Sequence, residues 1–266
     1  MSRTPLPSDL DGQLLLGTVA IEPNRWGTIR PDRSPETQVT EWADRIRALP
    51  VDGLELWEGH LLADGMSPID DVPVRVLNSY VGFDDDDDAD RIEIARRART
   101  CGARAVKFNV GNDLAAADAY GERLGRWVDQ LGDDVVPVCE CHEGISIAEN
   151  PAVARRVFDL AGDRVRALVH THESSDVTAA KFEAFGERIA HVHVNHLDTA
   201  TFSHPTLAEV EDVLAAKIDQ LRSFGFRGSW TLEFVAGLLT TDDHPGALLE
   251  QVDTDLAVLR PLLKGS

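Results

Sequence analysis

The chain has 266 residues, 43% of them hydrophobic, which is enough to bury a substantial core in one large domain. Its net charge is −20, with 29 Asp and 17 Glu against 22 Arg and 4 Lys. That balance excludes nucleic acid and anionic membranes as natural partners, because both are bound through positive charge that displaces counterions.

No apolar run approaches the roughly 20 residues that span a bilayer. The first 13 residues are polar and acidic, so a cytoplasmic protein is expected. The cysteines, Cys101, Cys139 and Cys141, are odd in number and argue against a disulfide framework.

Strand-like runs alternate with helical ones from end to end, the pattern of a parallel α/β fold. The first strand is expected over residues 14–21. Residues 24–27 follow it and are placed to form a lid. Ser34-Pro35 offers an N-cap and a first-position proline for a helix. The second strand, 53–57, is followed by at best one or two helical turns over 61–66. After the third strand, 74–79, the acidic run 84–88 reads as a solvated surface loop. It lacks the glycine of a calcium loop, and it precedes a helix over 90–101 whose dipole favours negative charge.

The fourth strand, 105–109, leads to a helix over 113–131. In the fifth, 136–140, Cys139 and Cys141 flank Glu140 and should face the opposite way, under the helices. Asn150-Pro151 then starts the next helix. The sixth strand, 166–170, precedes a helix over 177–185. After the seventh, 189–194, Thr206-Leu-Ala-Glu209 forms a capping box for a helix reaching about residue 224. The eighth strand, 229–234, precedes a last helix over 245–263. Eight such units match a closed (β/α)8 TIM barrel of a single domain, residues 1–266. A doubly wound open sheet would carry a glycine-rich phosphate loop after its first strand, and residues 21–27 contain none.

Four runs end in Glu or His: Val136-Val-Pro-Val-Cys-Glu140, Arg166-Ala-Leu-Val-His170, Ile189-Ala-His-Val-His193 and Trp230-Thr-Leu-Glu233. Buried strands have no use for such ends unless the ends converge. Parity puts His191 and His193 on one face, and Thr231 and Glu233 on one face, in both cases the face away from the helices. Barrel sites are built from the C-terminal ends of strands. Glu140, His170, His193 and Glu233 therefore form a candidate shell for one divalent metal ion, of the manganese, cobalt or zinc type rather than magnesium.

The segments Gly53-Leu-Glu-Leu-Trp-Glu-Gly-His60, Glu140-Cys-His-Glu-Gly144, His191-Val-His-Val194 and Trp230-Thr-Leu-Glu-Phe234 resemble the xylose-isomerase-like barrel superfamily, in its sugar (phosphate) isomerase and epimerase branch. The resemblance implies one divalent cation held by Glu140, His193, Glu233 and a strand-six residue. That residue is usually Asp, followed three positions later by His. Here the run is His170-Thr-His-Glu173, so the position falls on His170, with His172 as the alternative. The resemblance also implies a homodimer or homotetramer.

The implied chemistry is proton transfer next to a carbonyl, with an enediolate intermediate and Glu140 and Glu233 as the acid–base pair. Epimerisation, ketose–aldose isomerisation and dehydration all follow from that intermediate. The expected substrate is a small sugar or polyol. Trp57 and His60 would supply an aromatic wall and a hydrogen-bonding imidazole. Lys107 would either pair with Glu55 or polarise a substrate oxygen, and His142 and His172 would bond substrate hydroxyls. A lyase acting on a cyclic keto-polyol of the inosose or 3-dehydroshikimate type, and a barrel that has lost its metal, are the other readings.

Overall fold

The computed structural model describes residues 10–23, 34–198, 201, 203–236 and 244–265. Eight parallel strands follow one another around a closed barrel: β1 (Leu14–Gly17), β2 (Gly53–Trp57), β3 (Val74–Asn78), β4 (Ala105–Phe108), β5 (Val136–Glu140), β6 (Arg166–His170), β7 (Ile189–Val194) and β8 (Ser229–Leu232). β8 pairs back onto β1, with Leu14 opposite Trp230 and Leu16 opposite Leu232, so the sheet has no free edge. Around it lie α1 (Ala43–Ala48), α2 (Asp88–Thr100), α3 (Ala117–Leu131), α4 (Pro151–Ala161), α5 (Ser175–Phe185), α6 (Glu211–Ser223) and α7 (Pro245–Lys264). This is the (β/α)8 architecture expected from the alternating pattern.

Alternation along each strand divides the interior in two. One set, including Leu56, Phe108, Val192 and Leu232, packs under the helices. Cys139 and Cys141 are in that layer as fully buried free thiols, as their parity requires. The other set fills the barrel. At its N-terminal end Leu10, Leu15, Val76, Ala105, Val136, Val138 and Leu168 form a separate apolar plug. Toward the C-terminal end the filling turns polar, with Glu55, His191, His193 and Thr231 all buried. The plug fills the bottom, so the polar groups lie on its C-terminal side.

Several expectations need correction. β1 stops at Gly17, not residue 21, and Thr18–Ile21 winds into a 3-10 turn. Gly17 lies against β8 so closely that a Cβ there would stand 3.1 Å from Leu232 O. Thr18 Oγ1 then accepts the Trp57 backbone N–H at 3.0 Å, turning the chain across the top of β2. β8 likewise ends at Leu232 instead of residue 234.

No α-helix follows β2. Glu58–His60 makes one 3-10 turn, and Gly65, at φ +85°, breaks the stretch expected to be helical. Ser34-Pro35 does not open a helix; among the described residues the next helical element is the 3-10 turn Val39–Trp42. The Glu22 carboxylate accepts the backbone N–H groups of Glu36 and Thr37 and holds that stretch out of a helix. The acidic run is not a plain surface loop. Asp85–Asp87 is a 3-10 turn leading directly into α2, with the Asp84 N–H donating to Asp87 at 2.8 Å.

Asn150 caps α4 and the Thr206–Glu209 box precedes α6, both as expected. Residues 24–27 lie outside the described residues. Among the described residues no helix is long and apolar enough to cross a membrane.

Candidate metal centre

Glu140 closes β5, His170 closes β6, His193 is the penultimate residue of β7, and Glu233 comes one residue after β8. Register makes them neighbours: His170 pairs with His193, and His193 with Thr231, two residues before Glu233. All four are buried, and one donor atom from each lies within 4.8 Å of the other three. His170 Nε2 is 3.3 Å from Glu140 Oε1 and 3.6 Å from Glu233 Oε2. His193 Nδ1 is 3.0 Å from Glu233 Oε1.

The donors fit a divalent cation. His193 Nδ1 is buried among them yet stands outside hydrogen-bonding geometry with any partner among the described residues. A buried nitrogen beside a carboxylate and short of a hydrogen-bond partner is the mark of a coordination site. Two carboxylates would neutralise the ion, and two imidazoles favour manganese, cobalt or zinc over magnesium.

The electrostatics follow from burial and pairing. Burial acts to raise the Glu140 carboxyl, but the Lys107 charge and the His170 bond outweigh it and hold it well below the usual range. Burial likewise opposes ionisation of Glu233, and the His193 charge outweighs it. Burial pushes His170 down to about 3, against the bond to Glu140, so its ring is neutral and ready to ligate. His193 differs. Burial would lower it, but Glu233 and Glu55 flank it and raise it to about 10.

Lys107 Nζ lies 2.5 Å from Glu140 Oε2 and 4.4 Å from the Tyr80 ring centre. This corrects the expected Lys107–Glu55 pair. In register Lys107 stands opposite Asn78, and Asn78 opposite Trp57, two residues beyond Glu55 toward the mouth. Glu55 instead accepts from Asn78 Nδ2 at 2.9 Å and lies 2.9 Å from His191 Nε2 and 3.0 Å from His193 Nε2.

Of the two strand-six candidates, His170 is in the four-donor group and His172 is not. His172 Nδ1 bonds Asn195 Oδ1, and its Nε2 is 2.9 Å from His142 Nε2. Asn195 in turn donates to Glu233 Oε2 at 2.5 Å. The His142 and His170 ring centres are 4.5 Å apart, so the predicted substrate histidines border the cluster. Trp57 is buried and meets His60 edge-on at 5.0 Å. Both His60 nitrogens are engaged within the chain, with Thr18 Oγ1 at 2.9 Å and Glu22 Oε2 at 3.1 Å.

Asn195 and Glu55 escaped the sequence reading as parts of this site. Glu55 left a signal, a single acid at an inward position of an apolar strand. Asn195 left none beyond its place two residues after His193.

The fold and the site thus define a closed parallel (β/α)8 barrel with a buried Glu/His cluster at its C-terminal mouth. Comparison with protein-family models gave no match, and neither did comparison with curated protein sequences. Solved structures do match. A probable 3-DHS dehydratase, AsbF, from Bacillus anthracis is similar at 12% identity and TM-score 0.61, over 93% of this chain and 98% of that one. A xylose isomerase domain protein from Alicyclobacillus acidocaldarius is similar at 17% and 0.61, over 88% and 98%. The IolI protein, solved with a bound zinc atom, is similar at 11% and 0.62, over 95% and 98%. The chain has the fold of the xylose isomerase-like TIM barrels.

Proposed function

We propose that the protein is a divalent-metal-dependent isomerase or epimerase of a small keto-sugar. The observation that carries this reading is the four-donor cluster of Glu140, His170, His193 and Glu233, buried at the barrel mouth. A cation held there would polarise a substrate carbonyl and acidify the adjacent C–H.

The protein's own groups do the rest. Glu140 at the end of β5 and Glu233 just past the end of β8 flank His170 Nε2. Lys107 keeps Glu140 ionised, and Asn195 fixes the Glu233 carboxylate through its amide. One carboxylate takes the proton from the carbon beside the carbonyl, leaving an enediolate. The other returns a proton to the opposite face, which is epimerisation; return to the neighbouring carbon is isomerisation. His142 and His172 border the cluster and would bond substrate hydroxyls.

A lyase acting on a cyclic keto-polyol is the second reading. The His142–His172 pair favours it by placing an imidazole N–H beside the cluster, where a departing hydroxyl would need a proton.

Incubation of manganese- or cobalt-loaded protein with ketohexoses, keto-inositols and 3-dehydroshikimate in deuterated water tests both. Deuterium next to a carbonyl in a product of unchanged composition supports the isomerase, and loss of water supports the lyase. Neither reaction on any of these substrates would count against both.

A further inference from the structure

Beneath the cluster lies a carboxylate that the proposed chemistry does not use. Glu55 is buried inside the barrel, in register with Val76 of the apolar plug on β3. Asn78 Nδ2, His191 Nε2 and His193 Nε2 all converge on it, the last at 3.0 Å from both of its oxygens. An ionised carboxylate has no hydrogen to give, so each nitrogen facing it must carry one.

We propose that Glu55 is the positioning residue of the metal centre: it accepts the Nε2 proton of His193 and thereby commits that ring to offer Nδ1 to the cation. The inference rests on the metal reading above and assigns the outer partner that orients its strand-seven ligand. With hydrogen held on Nε2 by Glu55, Nδ1, 3.0 Å from Glu233 Oε1, is the nitrogen left to exchange its proton for the cation. The reversed tautomer would set a lone pair against two carboxylate oxygens and strip a donor from a fully enclosed charge.

The same carboxylate separates the two histidines of β7, which share a face and look equivalent in sequence. His191 Nδ1 is 2.7 Å from Ser229 Oγ, and its Nε2 is 2.9 Å from Glu55 and 3.0 Å from Thr231 Oγ1. Both of its nitrogens are occupied by the barrel interior. His191 is a strut for Glu55, and His193 alone keeps a nitrogen for the mouth. A carboxylate behind a ligating imidazole fixes the ring and strengthens it as a donor, an effect typically worth about 10–100-fold in metal affinity.

Two measurements test the assignment. Nitrogen-15 NMR of the imidazoles in wild-type protein loaded with zinc reads the tautomer directly; the expected result is hydrogen on Nε2 of His193 and metal on Nδ1. Calorimetric titration of Glu55→Gln with cobalt should show affinity reduced by about 10–100-fold, with a shifted visible cobalt spectrum. Hydrogen on Nδ1, or wild-type affinity together with an unchanged cobalt spectrum in Glu55→Gln, overturns the role of Glu55 while the metal reading stands. Should Glu55→Gln fail to fold, the wild-type NMR result decides. Wild-type protein that binds neither ion overturns the metal reading first, and this inference with it.

Discussion

His193 Nδ1 and Glu233 Oε1 stand 3.0 Å apart on neighbouring strands without hydrogen-bonding geometry between them. Both belong to the four-donor group. Their approach ties the strand-seven and strand-eight ends into one centre.

Glu233→Gln keeps the shape of the side chain and its bond from Asn195 but removes the charge. Turnover should fall by about 10²–10⁴-fold, the usual contribution of a general acid or base. The melting temperature of the metal-free protein should also fall, because His193 loses a buried carboxylate partner. Steady-state kinetics on the substrate found in the deuterium screen, with a thermal melt beside it, checks both. Unchanged turnover would remove Glu233 from the acid–base pair.

The strand-six position separates two histidines. His172→Asn should leave metal stoichiometry unaltered, because His172 bonds Asn195 and His142 and is not one of the four donors. His170→Asp should bind magnesium better relative to zinc than the wild type, since a carboxylate replaces an imidazole. Competition titrations read the ratio. Metal loss in His172→Asn with full retention in His170→Ala would exchange their roles.

Lys107→Met leaves the buried Glu140 carboxylate without its ammonium partner. Removing one member of a buried pair costs about 3–5 kcal/mol. Metal-free protein should lose stability of that order in denaturant titrations. Added cobalt should restore part of it by supplying positive charge beside Glu140. A variant as stable as wild type without metal would show that the pair contributes little.

Asp255 in α7 is buried, and its Oδ1 accepts from Leu207 N at 3.0 Å and Gln251 Nε2 at 2.8 Å. Burial, opposed by these bonds, raises its carboxyl to about 6. The folded state therefore holds this proton more tightly than the unfolded state. Its contribution favours folding below the unfolded value near 4 and is lost as pH rises through about 6. Asp255→Asn should gain stability relative to wild type on going from pH 4.5 to pH 8, by on the order of 2 kcal/mol. Parallel melts of both proteins at the two pH values check the sign, and a pH-independent difference would contradict it.

The barrel was legible because period-two apolar runs and cap signals such as Asn150-Pro151 and Thr206–Glu209 repeat along the whole chain. The four strand ends were legible for the same reason: parity alone places His193 and Glu233 inside. What sequence did not reveal is set by distances across the ring. Whether Lys107 reaches Glu55 or Glu140 depends on the relative register of β2, β3 and β4, which no local pattern encodes. The bond from Asn195 to Glu233 depends on how the chain leaves β7. Gly17 ends β1 because β8 presses against it, a tertiary contact invisible in an apolar run that continues to Ile21.

Metal analysis of the purified protein after loading with manganese, cobalt or zinc and removal of free ion tests the central claim most directly. About one equivalent per chain is expected, because the four donor atoms lie within 4.8 Å of one another. Less than about a tenth of an equivalent with every one of these ions would contradict the account.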